Sequence, residues 1–580
     1  MASITKQRVG KYTYFYESIS YWDRLKKRPD NVKTCIGKLD LLTGEPVYKK
    51  AYLDKLVSEG KSIESMRLWD KPKESKAEVD DVAVSTSAAV LALDTVKDYG
   101  VGYFLTSIAE KIGLTDVLRG TFPDEWQHIL CIACYLVASG KPLMYCRDWV
   151  ESNEGFPGCD MSGQRISELL AEIKCASRTS FYRSWYQVIS ENECIALDTT
   201  SVSSYSNQIN AVEWGYNRDG EALPQVNVCL LYGEISKLPV YQTLYAGSLC
   251  DVSTLKATLD SFLATTSCRD VLIITDKGFH STKNIDMLLD MRVGESKLRF
   301  LTSIPFTSKF AINLIERERD NIDKIENVIQ TTRTPIRGVH RLTAWREGVN
   351  IHTHVYFDPE KAIKEKNALF GYVAWLAQQA TLDRNNKKLA AEFEKYLRLD
   401  YTISANSESS VIIREDVVAR ELRTAGWLVL VGSDTDNAQS AYNLYRMKDV
   451  AEKGFWKYKN NLGLDRLRVH NDQRVENKLF IGFISLILQS AIYQTMKAQG
   501  LFTKMTFDKL ILTLAKLKSA SISGKSILGP VSKSQRTIFD AFGLSIPERA
   551  SISILPHQRD KMDDARKRES RNSGSHRRIG

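Results

Sequence analysis

The chain has 580 residues, 43% of them hydrophobic and 26% charged, which is typical of a globular protein of several domains and excludes a disordered or fibrous one. Its net charge of +10 is too small to identify a nucleic-acid-binding protein by itself. We expect a cytoplasmic protein without a membrane span, because residues 1–17 lack the apolar core of an export signal, residues 479–492 are too short to span a bilayer, and the ten cysteines are scattered singly.

The first segment, residues 1–66, is predicted to be a small β-rich unit, because polar and aromatic residues alternate along it. Residues 1–62 contain 13 Lys and Arg against 7 Asp and Glu. A basic cluster that follows several aromatic residues favours contact with DNA over a merely solvated face. The cluster consists of Arg24, Lys26, Lys27 and Arg28. Residues 70–87 are polar and are predicted to be a linker.

Residues 88–192 are predicted to be a helical, DNA-binding region, because their apolar residues recur with helical spacing. Cys131 and Cys134 form a C-x-x-C pair that is compatible with zinc binding. They lie in an apolar helical stretch, and no second pair follows at the spacing of a zinc finger. We therefore favour reduced core thiols.

Residues 193–305 alternate between predicted strands and helices, which favours a mixed sheet with helices on its faces, and thus an α/β fold class within an overall α+β protein. The predicted strands are residues 194–205, 226–232, 238–245, 271–275 and 299–304, and the predicted helices are residues 252–264 and 282–291. Asp198 lies in the first of these strands, and Asp276 directly follows the fourth. Ligands of α/β sheets bind at the carboxyl ends of strands.

Residues 306–440 interrupt this alternation and are predicted to be a β-rich insertion with one charged helical arm. Residues 336–356 and 426–431 have strand patterns, and residues 389–397 a helical one. His352 and His354 would share one strand face and could bind a metal, although an exposed strand is the commoner explanation. Trp427 could stack on an unpaired base, but core packing explains it equally well.

Residues 441–500 contain the most informative pattern of the chain. Tyr445, Lys448, Glu452 and Lys459 have the spacing i, i+3, i+7 and i+14, so one helix would place them within a sector of roughly 60°. Such a stripe is normally apolar, whereas this one is charged, which indicates a face for a charged ligand. Trp456 is a second candidate for stacking on a base.

The C-terminal residues 501–556 are predicted to be helical, and the basic tail, residues 557–580, to be disordered. Ser519-x4-Gly524-Lys525-Ser526 nearly matches a phosphate-binding loop, but a serine replaces the first glycine and no buried strand precedes it. We therefore expect no ATP binding.

Four of these motifs, in this order, resemble the DDE transposases of bacterial insertion sequences. The resemblance is to the large insertion-sequence-four-like group, whose third acid lies in a Tyr-x2-Arg-x3-Glu-x6-Lys signature. The matching residues are Asp198-Thr-Thr, Gly215-Tyr-Asn-Arg-Asp-Gly, Asp276-Lys-Gly-Phe, and the stripe from Tyr445 to Lys459, with Lys448 in the arginine position.

The resemblance implies a ribonuclease-H-like catalytic core that is interrupted by the β-rich insertion. The spacing is consistent with an insertion between the second and third acids, because 176 positions separate Asp276 from Glu452 and 78 separate Asp198 from Asp276. It further implies that these three acids hold two Mg²⁺ ions, for which Mn²⁺ can substitute. The enzyme would cut terminal inverted repeats, free 3′-OH ends and join them to target DNA.

The resemblance also implies partners. The DNA would be double-stranded and held near the scissile phosphate by Tyr445, Lys448, Lys459 and Lys277, and a homodimer would bring two element ends together. The cell would be bacterial, with the protein on nucleoid DNA. Two alternatives are a metal-dependent nuclease that cuts without joining, and a catalytically silent protein that only binds DNA ends.

Overall fold

The chain forms two compact units, Met1–Val90 and Leu91–Gly580. The structure, a computed structural model, describes residues 2–9, 12–23, 28–39, 46–59, 93–156, 158–189, 194–266, 268, 270–332, 334–383, 385–399, 411–446, 448–522 and 525–547. The predicted linker, residues 70–87, and the predicted tail, residues 557–580, lie outside this part.

The first unit is an antiparallel sheet followed by a helix. Its elements are β1 (Ala2–Val9), β2 (Tyr12–Asp23), β3 (Arg28–Leu39), β4 (Pro46–Tyr48) and α1 (Lys50–Ser58), with the sheet in the order β1-β2-β3-β4. Phe15, Ile36, Tyr52 and Leu56 form a small core between sheet and helix. Glu17 is buried beside them and accepts hydrogen bonds from Tyr52 and Lys55.

The second unit surrounds one large sheet with helices. Its strands are β5 (Leu93–Asp98), β6 (Cys194–Ser203), β7 (Gln225–Gly233), β8 (Pro239–Ala246), β9 (Leu272–Thr275), β10 (Arg292–Val293), β11 (Ser296–Lys297), β12 (Arg299–Ser303), β13 (Val328–Ile329), β14 (Ile336–Arg346), β15 (Val349–Phe357), β16 (Leu397–Leu399), β17 (Val411–Ile413), β18 (Trp427–Gly432), β19 (Lys518–Ile522) and β20 (Lys525–Leu528). Nine of these strands form the main sheet, in the order β13-β14-β15-β18-β12-β9-β6-β7-β8.

The helices of the second unit lie before, between and after these strands. They are α2 (Gly100–Lys111), α3 (Leu114–Thr121), α4 (Trp126–Ser139), α5 (Cys146–Ser152), α6 (Gly163–Glu172), α7 (Cys175–Ile189), α8 (Asp251–Thr266), α9 (Thr282–Asp290), α10 (Lys309–Glu318), α11 (Pro359–Leu382), α12 (Ala390–Tyr396), α13 (Glu415–Leu422), α14 (Ala438–Arg446), α15 (Asp449–Trp456), α16 (Asp472–Ala498), α17 (Phe507–Leu514) and α18 (Lys533–Ala541).

At the centre of the main sheet, antiparallel and parallel strands meet. β6, β7 and β8 are connected antiparallel neighbours, whereas β9 and β12 run parallel to β6. All nine residues of β7 are buried, which is the pattern of a strand covered on both faces. These strands and the helices α8 and α9 end within about two residues of their predicted bounds, and the mixed sheet confirms the predicted α/β class in its coarse form.

Helix α16 lies in the core of the second unit and contacts α2, α4, α6 and β8. Its length and hydropathy are those of a membrane span, and 78% of its most apolar window is buried inside the protein. Among the described residues, α4 and the bent segment after it pass the same test of length and hydropathy together. A helix that is apolar on all sides and covered by protein is the expected centre of a large core.

Three expectations about the flanking segments need correction. The strands between residues 306 and 440 belong to the main sheet, because β18 pairs with β12 and β15 pairs with β18. The same segment contains α11, a helix of 24 residues that is not predicted from the sequence.

Residues 501–556 are not all helical. β19 and β20 form a hairpin, and β19 pairs with β5, which lies in the region 88–192 that is predicted to be helical. The segment resembling a phosphate-binding loop lies in this hairpin.

Candidate active site

The first two predicted acids lie side by side, although 78 positions separate them in the chain. β6 and β9 are parallel neighbours, and Leu197 is paired with Thr275. The next residue of each strand, Asp198 and Asp276, therefore projects from the same level of the sheet, at the strand spacing of about 4.8 Å. Asp276 thus follows the carboxyl end of β9, and Asp198 lies beside it within β6.

The Asp276 carboxylate is held by donors from three directions. Its Oδ1 accepts hydrogen bonds from the Lys277 amide (2.7 Å), the Ser303 hydroxyl (3.0 Å) and the Tyr445 hydroxyl (3.0 Å). Its Oδ2 lies 3.2 Å from Lys448 Nζ. Burial alone would raise the pKa of Asp276, but Lys448, the Lys277 amide and Tyr445 outweigh it and keep this pKa below its ordinary value.

The Asp198 carboxylate has a different environment. Burial raises the pKa of Asp198 to about 7, even though the Thr199 amide donates a hydrogen bond to its Oδ1 at 2.8 Å. Arg218 and Lys448 lower this pKa, and Asp276 raises it. The neighbouring acids thus differ in proton affinity because one is desolvated and the other is surrounded by donors.

Sequence reasoning did not single out Arg218, Asp251 or Ser303, which complete this arrangement. Arg218 forms an ion pair with Asp251. The Asp251 carboxylate in turn lies against Gly278, where a Cβ would approach its Oδ2 to 2.9 Å. Arg218 belongs to the motif that begins at Gly215, so the family pattern was the signal that could have found it.

The third predicted acid, Glu452, belongs to α15, which packs against β6 and β7. The helix approaches β7 closely at Gly454, where an added Cβ would collide with the Tyr232 ring. This contact brings the backbone of α15 next to the strand that carries Asp198. The side chain of Glu452 lies outside the described part of the structure.

The expected single helix from Tyr445 to Lys459 is interrupted. α14 ends at Arg446, α15 begins at Asp449, and residues Lys457–Asn461 form a π-helical turn. The Lys448 amide donates to the Tyr445 carbonyl at 3.3 Å, which tightens the chain between the two helices. Tyr445, Lys448 and Lys459 therefore do not lie on one straight helix.

Two of the predicted DNA contacts within this stretch have internal partners. Tyr445 is buried, and its hydroxyl forms hydrogen bonds with Asp276 and Ser303. It therefore holds an acid of the site in place and does not face a phosphate. Lys459 is 11% exposed and its Nζ lies 2.5 Å from Asp219 Oδ2, because the π-helical turn directs it to the loop after β6. Lys448 lies in the site itself, against Asp276.

The other predicted contacts differ in accessibility. Trp427 is buried against Phe357 and Arg319, so core packing explains it and it is not free to stack on a base. Trp456 is 58% exposed. Lys277 is exposed beside Asp276. Arg28 begins β3, but its side chain is not described, and Arg24, Lys26 and Lys27 lie outside the described residues.

The site opens into a cleft of about 1180 Å³. One wall carries Asp276, Lys277, Tyr445 and Lys448, and the opposite wall comes from the segment between β12 and α14, including Lys361, Arg420, Arg423 and Trp427. Lysine and arginine side chains line the cleft together with acidic ones, among them Glu316, Asp358 and Glu421.

The described side chains include two of the three predicted metal ligands. Among the described side chains, no group of three or more His, Cys, Asp or Glu residues could hold a metal ion. That set contains Asp198 and Asp276 but not the side chain of Glu452. His352 and His354 form a ladder with His340, whose ring stacks on that of His352 at a centroid distance of 5.1 Å.

Comparison with protein families identifies the class of the chain. The family described as "Transposase DDE domain" matches residues 189–488, more than half of the 580 residues. The chain belongs to this family and is a transposase, an enzyme that acts on DNA. The matched region begins just before β6 and ends within α16, so it contains both described acids and the helix of Glu452.

The other two comparisons do not narrow the class beyond this family. No curated protein matches the chain. A solved structure with similarity is the cryo-EM structure of a piggyBac transposase synaptic complex with hairpin DNA, with 8% sequence identity, coverage of 68% of each chain and a TM-score of 0.30. This similarity is too low to carry an argument about the fold or the ligands of the chain.

Proposed function

We propose that the protein excises a bacterial insertion sequence and inserts it elsewhere, by Mg²⁺-dependent cleavage at the terminal inverted repeats and transfer of the freed 3′-OH ends to target DNA. The observation that supports this most directly is the β6–β9 register, which makes Asp198 and Asp276 neighbours. The family gives the transposase class, and the paired acids support the proposed chemistry.

The proposed core is ribonuclease-H-like. Its support is the strand order β8-β7-β6-β9-β12, in which three antiparallel strands are followed by two that run parallel to the first. The segment between β12 and α14 would then be the insertion that precedes the third acid. The Tyr445, Lys448, Glu452 and Lys459 spacing supports the insertion-sequence-four-like group, with Lys448 as a departure from its arginine.

The two neighbouring carboxylates fit Mg²⁺, because a hard cation prefers carboxylate oxygens and would offset their mutual repulsion in a partly buried site. Asp198, Asp276 and Glu452 would hold two Mg²⁺ ions, or Mn²⁺ in their place. When bound, the ions would stabilise the charge that develops on the attacking and leaving oxygens at phosphorus.

The remaining side chains would orient these ligands and the DNA. Ser303 and Tyr445 fix the rotamer of Asp276 through its Oδ1. Lys448 lies between the two acids and the cleft, where its ammonium can pair with a phosphate oxygen once a cation replaces it at Asp276. Lys277 and Trp456 are exposed and can contact the flanking backbone or a base.

The proposed assembly is a homodimer on double-stranded DNA, since two element ends must be cut and joined together. The ten free cysteines fit a reducing compartment, and we propose the bacterial cytoplasm, with the protein on nucleoid DNA.

The test uses the full chain, Mg²⁺, and duplexes that carry the inverted repeats flanking its coding region. We expect cleavage at the repeat ends, and joining of pre-cleaved 3′-OH ends to a target plasmid. Asp276→Asn and Glu452→Gln should abolish both reactions, while Asp260→Asn on α8, an exposed acid paired with Lys256, should retain them. Cleavage without joining would indicate a nuclease, and binding without cleavage a silent end-binding protein.

A further inference from the structure

A second cavity, of about 840 Å³, lies between residues 204–208 and residues 465–470. The first segment continues β6, the strand of Asp198, and the second precedes α16. Ser203 and Arg466 form a parallel β-bridge, and the Leu467 amide donates to the Ser203 carbonyl at 3.3 Å. We call this cavity the Arg468 groove. It begins where the strand of the active site ends.

The floor of the Arg468 groove contains two fixed cations. Arg466 is held by Glu221 at 2.5 Å, and its guanidinium lies over the Tyr205 ring. Below it, the buried Lys478 ammonium donates to the carbonyls of Arg466, at 3.1 Å, and Leu467, at 2.5 Å. Both cations are held in place, but Glu221 and Asp465 offset the charge of Arg466 and burial lowers the pKa of Lys478 to about 8, so neither adds a full free charge to the groove.

Arg468 is the mobile cation of the groove and the one best placed to contact a ligand. Its side chain is exposed, and none of the ion pairs among the described residues includes it. Its φ of 48° lies in the left-handed region, which non-glycine residues seldom occupy and which is enriched at functional sites. It lies close to the Lys478 ammonium, which also has the Asp465 carboxylate nearby.

We propose that the Arg468 groove binds the phosphodiester backbone of the DNA duplex about five base pairs from the scissile phosphate. Ser203 lies five residues beyond Asp198 on β6, which corresponds to about 16 Å along a strand. Five steps of about 3.4 Å along duplex DNA cover the same distance. The inference rests on the proposed function, since only then does Asp198 mark the scissile position.

The donors along both segments of the groove fit a row of phosphates. Asn207 and Gln208 offer exposed amide groups on one side, and Arg468 and His470 offer cationic or donor groups beside Asp465 on the other. Phosphate contacts of this kind set the register of a protein on DNA and do not read its sequence.

The experiment measures binding of an inverted-repeat duplex to the full chain without divalent metal, by fluorescence anisotropy. A neutral methylphosphonate replaces one phosphate at a time along the duplex. We expect the wild-type protein to lose affinity about threefold to tenfold when the neutral group lies about five base pairs from the cleavage position. Arg468→Asn should bind the unmodified duplex more weakly by the same factor and show no further loss at that position. Asparagine tolerates the left-handed backbone.

The controls separate charge from folding. Arg468→Lys keeps the charge and should retain most of the affinity, and Arg536→Asn, at an exposed arginine on α18 outside the groove, should bind like the wild type. All variants should unfold at the wild-type temperature.

Three outcomes would overturn the inference. If Arg468→Asn shows the wild-type response to every methylphosphonate, the groove does not bind this backbone, while wild-type cleavage would still support the proposed function. If inorganic phosphate displaces the duplex and no position is sensitive, the groove binds a free anion. If the wild-type protein neither binds nor cuts the duplex, the proposed function fails as well.

Discussion

The Asp276 carboxylate is the most constrained group of the site, with four donors within 3.2 Å. They come from the turn after β9, from β12 and from the junction of α14 and α15, so three elements must be in place before the rotamer is fixed. Under the proposed function Asp276 binds a metal ion, and groups that orient such a carboxylate are needed for affinity as well as for rate.

Tyr445→Phe removes one of these donors and leaves the ring in the core. We expect cleavage of an inverted-repeat duplex to fall about 10- to 100-fold, with a higher Mg²⁺ requirement, because Asp276 becomes freer to rotate. The free energy of unfolding should fall by only about 1 kcal/mol. Tyr442→Phe, on the same helix with its ring against Tyr356, is the matched control. Equal activities of the two variants would contradict this role of Tyr445.

Asp198→Asn should stabilise the metal-free protein at high pH. The pKa of Asp198 is raised to about 7, so between its ordinary value near 4 and pH 7 the folded state binds more protons than the unfolded state. Stability is therefore lost as the pH rises through this range, and a neutral asparagine avoids the loss. We expect a gain of about 2 kcal/mol at pH 8 that shrinks toward pH 4, measured by thermal unfolding.

The control for this prediction is Asp260→Asn, which replaces an exposed acid and should leave the pH profile unchanged. Mg²⁺ should stabilise the wild-type protein and not Asp198→Asn, so that the difference narrows as the ion is added. An Asp198→Asn protein less stable than the wild type at pH 8 would argue against the burial of a charge at this position.

At the residue scale, the sequence predicts the acids better than their surroundings. Asp198 and Asp276 each lie in or just after a continuous apolar run, and such a run locates the strand and its end. Ser303 and Tyr445 contact Asp276 although they lie 27 and 169 positions from it in the sequence. No local sequence pattern encodes these contacts. For the same reason, no local sequence pattern predicts the ion pair between Lys459 and Asp219.

At the scale of elements, the position of Glu452 depends on how closely α15 approaches β7. Gly454→Ala would place a methyl group against the Tyr232 ring and push the helix outward. We expect a loss of about 1–3 kcal/mol in the free energy of unfolding, together with a marked loss of cleavage, since the third acid moves with its helix.

Gly371→Ala is the matched control, because that helical glycine of α11 has open space where the Cβ would lie. It should leave activity unchanged and raise stability by about 0.5–1 kcal/mol through helix propensity. If Gly454→Ala unfolds at the wild-type temperature and cleaves normally, the close approach of α15 does not control the site.

The elements that sequence patterns miss are those without a strong apolar period. In α11 only Val373, Leu376 and Ala380 are buried in 24 residues, so most of the helix lacks an apolar stripe. The break between α14 and α15 falls inside a continuous helical pattern. Tyr445, next to this break, contacts Asp276 in a different part of the fold, which a local window of sequence does not contain.

At the scale of the whole molecule, the two units have separate cores, and the first carries a surplus of positive charge. We expect residues 91–580 to fold alone, with a thermal transition close to that of the second unit in the full chain. The DNA affinity of residues 91–580 should fall less steeply with salt than that of the full chain, because residues 1–62 supply six net positive charges. The measurement is the slope of log affinity against log salt for both chains; identical slopes would show that the first unit does not bind phosphates.

The pairing of β18 with β12, and of β15 with β18, limits how the chain can be shortened or recombined. Excision of residues 306–432 would remove one of the two strands that pair with β12 and leave unpaired amides and carbonyls along that edge, one strand away from β9 and Asp276. Such a truncated chain would be prone to self-association through that edge. A chimaera that exchanges this segment should therefore retain a strand that pairs with this edge of β12.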